Sequence, residues 1–185
     1  MAGTRVLLTR DGGETWDFGP DFSFVRGQPG SSVSGEGFTD PALYCSGRED
    51  LWIVGSDVDP RLDTLWHSPD GGRTWRDLSA AVGPPPERGR PVASFLASGS
   101  GWVVLPRASG APQVLRTRNG GARWDTLASP FLSREQAVAV SFSDDRHGVM
   151  LTSQRRALRT ADGGETWAAG PAPADFAPIA LSVAP

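Results

Sequence analysis

Lysine is missing from this chain. All 18 basic residues are Arg, set against 21 acidic ones, for a net charge of −3. With a pI of about 5.4 and Arg scattered along the sequence, a general phosphate-gripping surface is excluded, and no nucleic-acid partner is expected. Cysteine is reduced to Cys45, so no intrachain disulfide forms and the redox compartment stays open. His67 and His147 are the two histidines, and neither has a second ligand at metal spacing; both read as surface or strand residues, with no metal and no cofactor expected. No apolar run approaches a membrane span. The opening Met1-Ala-Gly-Thr-Arg-Val-Leu-Leu-Thr-Arg10 has neither the apolar core nor the cleavage site of a signal peptide, which leaves the compartment open. Helix signals are scarce as well; Ser133-Arg-Glu-Gln-Ala137 supplies one turn at most.

What is there is repetition. Four octads read Thr9-Arg-Asp-Gly-Gly-Glu-Thr-Trp16, Ser68-Pro-Asp-Gly-Gly-Arg-Thr-Trp75, Thr117-Arg-Asn-Gly-Gly-Ala-Arg-Trp124 and Thr160-Ala-Asp-Gly-Gly-Glu-Thr-Trp167, with Trp-to-Trp steps of 59, 49 and 43 residues. Repetition at such periods marks a repeat architecture. Apolar residues run into each copy and a short β-prone stretch follows it, so each octad reads as a hairpin closed by glycines that tolerate positive φ. Asp11, Asp70, Asn119 and Asp162 are read as acceptors for backbone N–H groups a residue or two ahead, in the manner of an Asx turn. Trp16, Trp75, Trp124 and Trp167 are read as indoles laid on a neighbouring sheet. The third copy departs twice, with Asn119 for Asp and Arg123 for Thr. A neutral acceptor bonds amides less strongly than a charged one, so this turn should be the weakest.

The octad resembles the Asp box of the sialidase-type (BNR) repeat, which marks one blade of a β-propeller. Over nearly its whole length the chain is similar to the bacterial Asp-box propellers grouped with photosystem II stability and assembly factors. More distantly it resembles sialidases, xyloglucan-type glucanases and sortilin ectodomains. The resemblance implies an all-β propeller. Those relatives include both enzymes and binding scaffolds, so fold does not choose between the two.

A single 185-residue domain of about four blade-equivalents is expected. Complete four-stranded blades fall at 41–80, 91–129 and 137–170, and a partial blade combines 1–20 with 178–185. The closing blade lacks a second strand, for which Phe22-Ser-Phe-Val25 is the spare β-like segment. Three closures satisfy the count: a small ring made by one chain, a homodimer completing the propeller, or a portion of a longer propeller with open ends.

A non-catalytic binding or assembly scaffold for a protein or other ligand is the expected function; a sialidase-like glycoside hydrolase and an inactive fragment are the alternatives. Sialidases use a Tyr nucleophile, an exception to the usual carboxylate pair, and several Arg side chains on the substrate carboxylate. Tyr44 is the only Tyr, it falls in an innermost strand, and the Arg-Ile-Pro motif usual before the first box is missing. Propeller ligands gather where second-to-third-strand loops and interblade connections meet. The resemblance therefore points to Arg26, Glu36, Asp57, Asp59, Arg61, Arg88, Arg107, Arg134, Arg155 and Arg156 as contacts for a protein partner or a glycan. Asp57, Asp59 and Asp63 form an acidic loop without the Gly and closing Glu of a Ca²⁺ site. The Pro-rich stretch 83–91 reads as a stiff exposed connection.

Overall fold

The computed structural model describes residues 5–21, 39–56, 63–82, 90–107 and 110–171. Short apolar runs bounded by Gly, Ser and Asp become strands throughout. Strands β1 (Arg5–Leu8) and β2 (Asp17–Asp21) form a two-stranded sheet. Three four-stranded antiparallel meanders follow. The first is β3 (Thr39–Cys45), β4 (Leu51–Ser56), β5 (Asp63–Ser68) and β6 (Arg76–Asp77). The second is β7 (Val92–Phe95), β8 (Gly101–Leu105), β9 (Gln113–Thr117) and β10 (Asp125–Leu127), and the third is β11 (Ala137–Phe142), β12 (Gly148–Thr152), β13 (Arg156–Thr160) and β14 (Ala168–Pro171). One 3₁₀ turn, Ser79–Ala81, lies after β6; no helix signal in the sequence points there. Residues 133–134 are a turn. The arrangement is a partial propeller of about four blade-equivalents. The strands expected at Phe22–Val25 and 178–185 lie outside the described residues.

Core residues fill the seams between consecutive sheets. Ile53 and Trp66 meet Val6 across the first seam. Trp52, Val54 and Leu65 meet Ala93, Phe95 and Leu115 across the second, and Trp102, Val104 and Val114 meet Val140, Phe142 and Leu158 across the third. Alternation along each strand sends one set of side chains to the preceding sheet and the other to the following one. An aromatic trio recurs with it. Trp52 stacks on Phe95 at 4.1 Å with Trp124 edge-on at 6.5 Å; Trp102 and Phe142 repeat the stack, with Trp167 edge-on to Phe142 at 6.0 Å. The indoles of the second, third and fourth boxes therefore each pack into the seam ahead of their own sheet, whereas Trp16 is exposed.

The boxes reach further than an Asx turn. Asp70 accepts the amide of Thr74, four residues on, at 2.8 Å, and its second oxygen accepts the Thr74 hydroxyl at 2.6 Å. Asp11 and Asp162 repeat both bonds with Thr15 and Thr166. The reach expected from sequence, one or two residues, was thus too short: two successive left-handed glycines fold the chain back on itself before the acceptor is met. Ser68 Oγ accepts the Gly72 amide at 2.7 Å, and the Trp75 indole N–H donates to the Gly72 carbonyl at 3.1 Å. In the third copy Asn119 accepts the Arg123 amide at 2.9 Å, but Arg123 has no hydroxyl to offer, and Trp124 Nε1 is buried without a partner.

Candidate functional site

The meanders have two unlike ends. At one, the first glycine amide of each complete sheet's box donates to the turn joining that sheet's first two strands: Gly71 to Glu49 O, Gly120 to Gly99 O and Gly163 to Arg146 O, at 2.7–2.8 Å. At the other lie the loops between second and third strands and the connections between sheets. Four expected contact residues fall at this loop end: Arg107 after β8, Arg134 before β11, and Arg155 and Arg156 at the β12–β13 turn. Arg26, Glu36, Asp57, Asp59, Arg61 and Arg88 lie outside the described residues.

The connection before β11 is laced to the β12–β13 turn. Ser153 N donates to Gln136 O at 2.9 Å, Gln136 N to Ser153 Oγ at 3.0 Å and Gln154 Nε2 to Ser133 O at 3.3 Å. Beneath the lacing sits Glu135, fully buried. It accepts Arg156 Nη1 at 2.6 Å, Leu132 N at 2.9 Å, and the Thr152 hydroxyl. Burying a carboxylate is costly unless it is paired, and here three donors satisfy it. The Arg156 guanidinium therefore holds the ridge together. Arg134 and Arg155 flank the same ridge, exposed, with φ of 61° and 59°; they are the non-glycine residues in left-handed backbone among the described ones. Arg107 donates to the Gln113 side chain.

Two other polar groups deserve a chemical test. Ser46 donates to Asp50 Oδ2, Trp52 Nε1 to the same oxygen at 3.1 Å, and His67 Nε2 meets Asp50 Oδ1 at 2.5 Å. Ser, His and Asp are present, but the carboxylate stands between the hydroxyl and the imidazole. A serine triad needs the imidazole in the middle, to take the hydroxyl proton. Burial pushes the Asp50 carboxyl up, yet the bonds from His67, Ser46 and Trp52 outweigh it and hold it below the usual range. His67 is itself buried and stacked on Trp52 at 3.9 Å, so the group braces the sheet. Tyr44 is the second. Its ring packs on Phe95, its hydroxyl oxygen accepts the Ala93 amide at 3.2 Å, and burial pushes its pKa up. A nucleophile needs the opposite shift.

His147 is exposed and bonded to Asp144 at 2.8 Å. Among the described residues no three His, Cys, Asp or Glu side chains gather as a metal site, and no helix is long and apolar enough to cross a membrane. Sequence reasoning missed Glu135, Asp50 and the buried Arg116. Arg116 crosses the third seam, donating to Gly163 O at 3.0 Å and Glu165 Oε1 at 2.6 Å. The tripeptide Leu-Arg-Thr repeated at 115–117 and 158–160 was the available signal.

No family model and no curated protein matches the chain. Among solved structures, YCF48 bound to a D1 peptide superposes with a TM-score of 0.55 at 25% identity, over 69% of this chain and 38% of that one. YCF48 from Cyanidioschyzon merolae gives 0.51 at 26% identity over the same shares. The chain is similar to the Asp-box β-propellers. It matches well under half the length of either YCF48 chain. Trypanosoma rangeli sialidase in complex with the inhibitor DANA gives a TM-score of 0.48 at 17% identity, over 81% of this chain and 25% of that one. The Xanthomonas campestris GH74 xyloglucanase gives 0.47 at 19%, over 65% and 18%. At those scores neither bears on what the chain does.

Proposed function

We propose that the chain is a non-catalytic scaffold that holds an acidic protein segment at the loop end of its sheets, with Arg134 and Arg155 as principal contacts and Arg107 at the same end. One observation carries the reading. Two exposed Arg residues are kept in a left-handed backbone that costs a non-glycine residue roughly 1–2 kcal/mol, on a ridge braced from below by Glu135 and Arg156. Strain of this kind persists where surrounding structure over-determines it, and it clusters at binding sites. The likeness to YCF48, a structure of which holds a D1 peptide, supports a protein partner over a glycan. The packed state of Tyr44 supports binding over sialidase-type hydrolysis.

The test uses an array of overlapping acidic peptides with a D1 peptide among them, read by fluorescence anisotropy. Peptides held by the parent chain should lose at least about tenfold in affinity on Arg134→Glu plus Arg155→Glu, with the melting midpoint unchanged. Undiminished binding by that double variant removes the two Arg contacts. Failure of every peptide, together with turnover of fluorogenic sialosides or β-glucans, replaces the scaffold with a hydrolase.

A further inference from the structure

In the third seam the residue before one box, Arg116, meets the glutamate of the next box, Glu165. By sequence register Leu8 and His67 hold the place of Arg116 before the first two boxes, and Arg73 and Ala122 hold the place of Glu165 in the boxes that follow them. Two halves of this series remain. Arg159 stands in β13 where Arg116 stands in β9, and Glu14 stands in the first box where Glu165 stands in the last. Boxes 9–16 and 160–167 differ at a single position, Arg10 against Ala161, so the first box is chemically the ligand that Arg116 already grips.

Both halves are open. Arg116 is 3% exposed in its seam, whereas Arg159 is exposed on the face of the β11–β14 sheet turned away from that seam. Trp75, Trp124 and Trp167 are half-buried against the sheet before them, but Trp16 is 54% exposed and Leu7, in the register of Leu158, is 50% exposed. One face therefore presents an indole, an aliphatic side chain and a carboxylate. The other presents a guanidinium with Val149, at the Trp102 position, beside it.

We propose that the outward face of the β11–β14 sheet docks the 9–16 hairpin of a second copy of this chain, Arg159 bonding the Gly12 carbonyl and the Glu14 carboxylate while the Trp16 indole covers Val149. A contact of this kind is head-to-tail and leaves both faces of the pair to be used again, closing a ring or extending a series. In their described residues two copies hold six four-stranded and two two-stranded sheets, inside the roughly four to eight blades at which propellers close.

The experiment is solution mass by light scattering across a concentration series, with circular dichroism as the fold control. The parent chain should be heavier than one copy, and Arg159→Glu or Glu14→Arg alone should weaken association at least about tenfold. Mixing the two single variants restores assembly, because each contact between unlike chains then pairs opposite charges. A parent chain that stays monomeric overturns the proposal, whether the faces are free or closed within one chain. Single variants that associate like the parent, or a mixture that stays monomeric, overturn it too.

Discussion

Trp102 of β8 lies flat on Phe142 of β11, ring centroids 3.5 Å apart and planes 2° from parallel, while its indole N–H reaches past that ring to the Gly163 carbonyl at 2.9 Å. One side chain thus supplies both an apolar and a polar tie to the third seam. It is 1% exposed.

Trp102→Ala should cost about 3–5 kcal/mol, the range for a large aromatic lost from a core, measured by denaturant unfolding. Trp102→Phe keeps the stack and loses the bond to Gly163, so it should cost clearly less. Equal costs for the two would mean that the hydrogen bond, and not the stack, carries the seam.

Restoring the third box should stabilise the protein. Asn119→Asp with Arg123→Thr recreates the acceptor and hydroxyl that the other three boxes share. The expected gain is about 2–4 °C in melting midpoint, the equivalent of roughly one added hydrogen bond. Scanning calorimetry reads it, and a lower midpoint would contradict the account of that turn.

Acid should loosen the boxes. Hydrogen bonds from the Thr74 and Thr166 side chains and amides hold Asp70 and Asp162 down to about 2, from an ordinary 3.8. Bonds from His147 and the Arg146 amide do the same for Asp144, and Asp11 is held lower still, first by the Thr15 hydroxyl. A folded pKa below the unfolded one means stability that is complete above the unfolded value and lost as pH falls towards the folded one. The melting midpoint should therefore hold steady down to about pH 4 and fall between there and about pH 2. Asp70→Asn with Asp162→Asn should lower the midpoint at neutral pH and flatten the acid limb.

Arg155 and Arg156 are neighbours with different work. Arg156→Ala leaves Glu135 buried with one donor fewer, and breaking such a pair costs about 3–5 kcal/mol. Arg155→Ala removes an exposed side chain and should stay within about 1 kcal/mol of the parent. Chemical denaturation of the two variants side by side separates the brace from the contact residue.

The strands were legible because their apolar residues recur between glycine-bearing turns, and the boxes because four copies align without gaps. The bonding inside a box was less so. Asp-Gly-Gly announces a turn, but the amide it captures depends on where two left-handed residues aim the chain. The loop end was legible only in part. Arg155 and Arg156 stand side by side in the sequence, and nothing there says that Glu135, some twenty residues earlier, neutralises one and spares the other. The Asp50–His67 brace was hidden for the same reason, since it joins a hairpin turn to a strand beyond it, and neither residue repeats in the other sheets.

That brace has a thermal consequence. Trp52 and His67 occupy the places of Trp102 and Arg116, yet they turn their nitrogens inward to Asp50 rather than across to the next box. The joint between the sheets at 39–77 and 92–127 therefore leans mainly on oily contact, beside the bond from the Ala93 amide to the Tyr44 hydroxyl, and that attraction fades on chilling. Its neighbour, with charged and amide ties, does not share that weakness. Cooled, the chain should open first at that joint, the two sheets parting from each other before either frays.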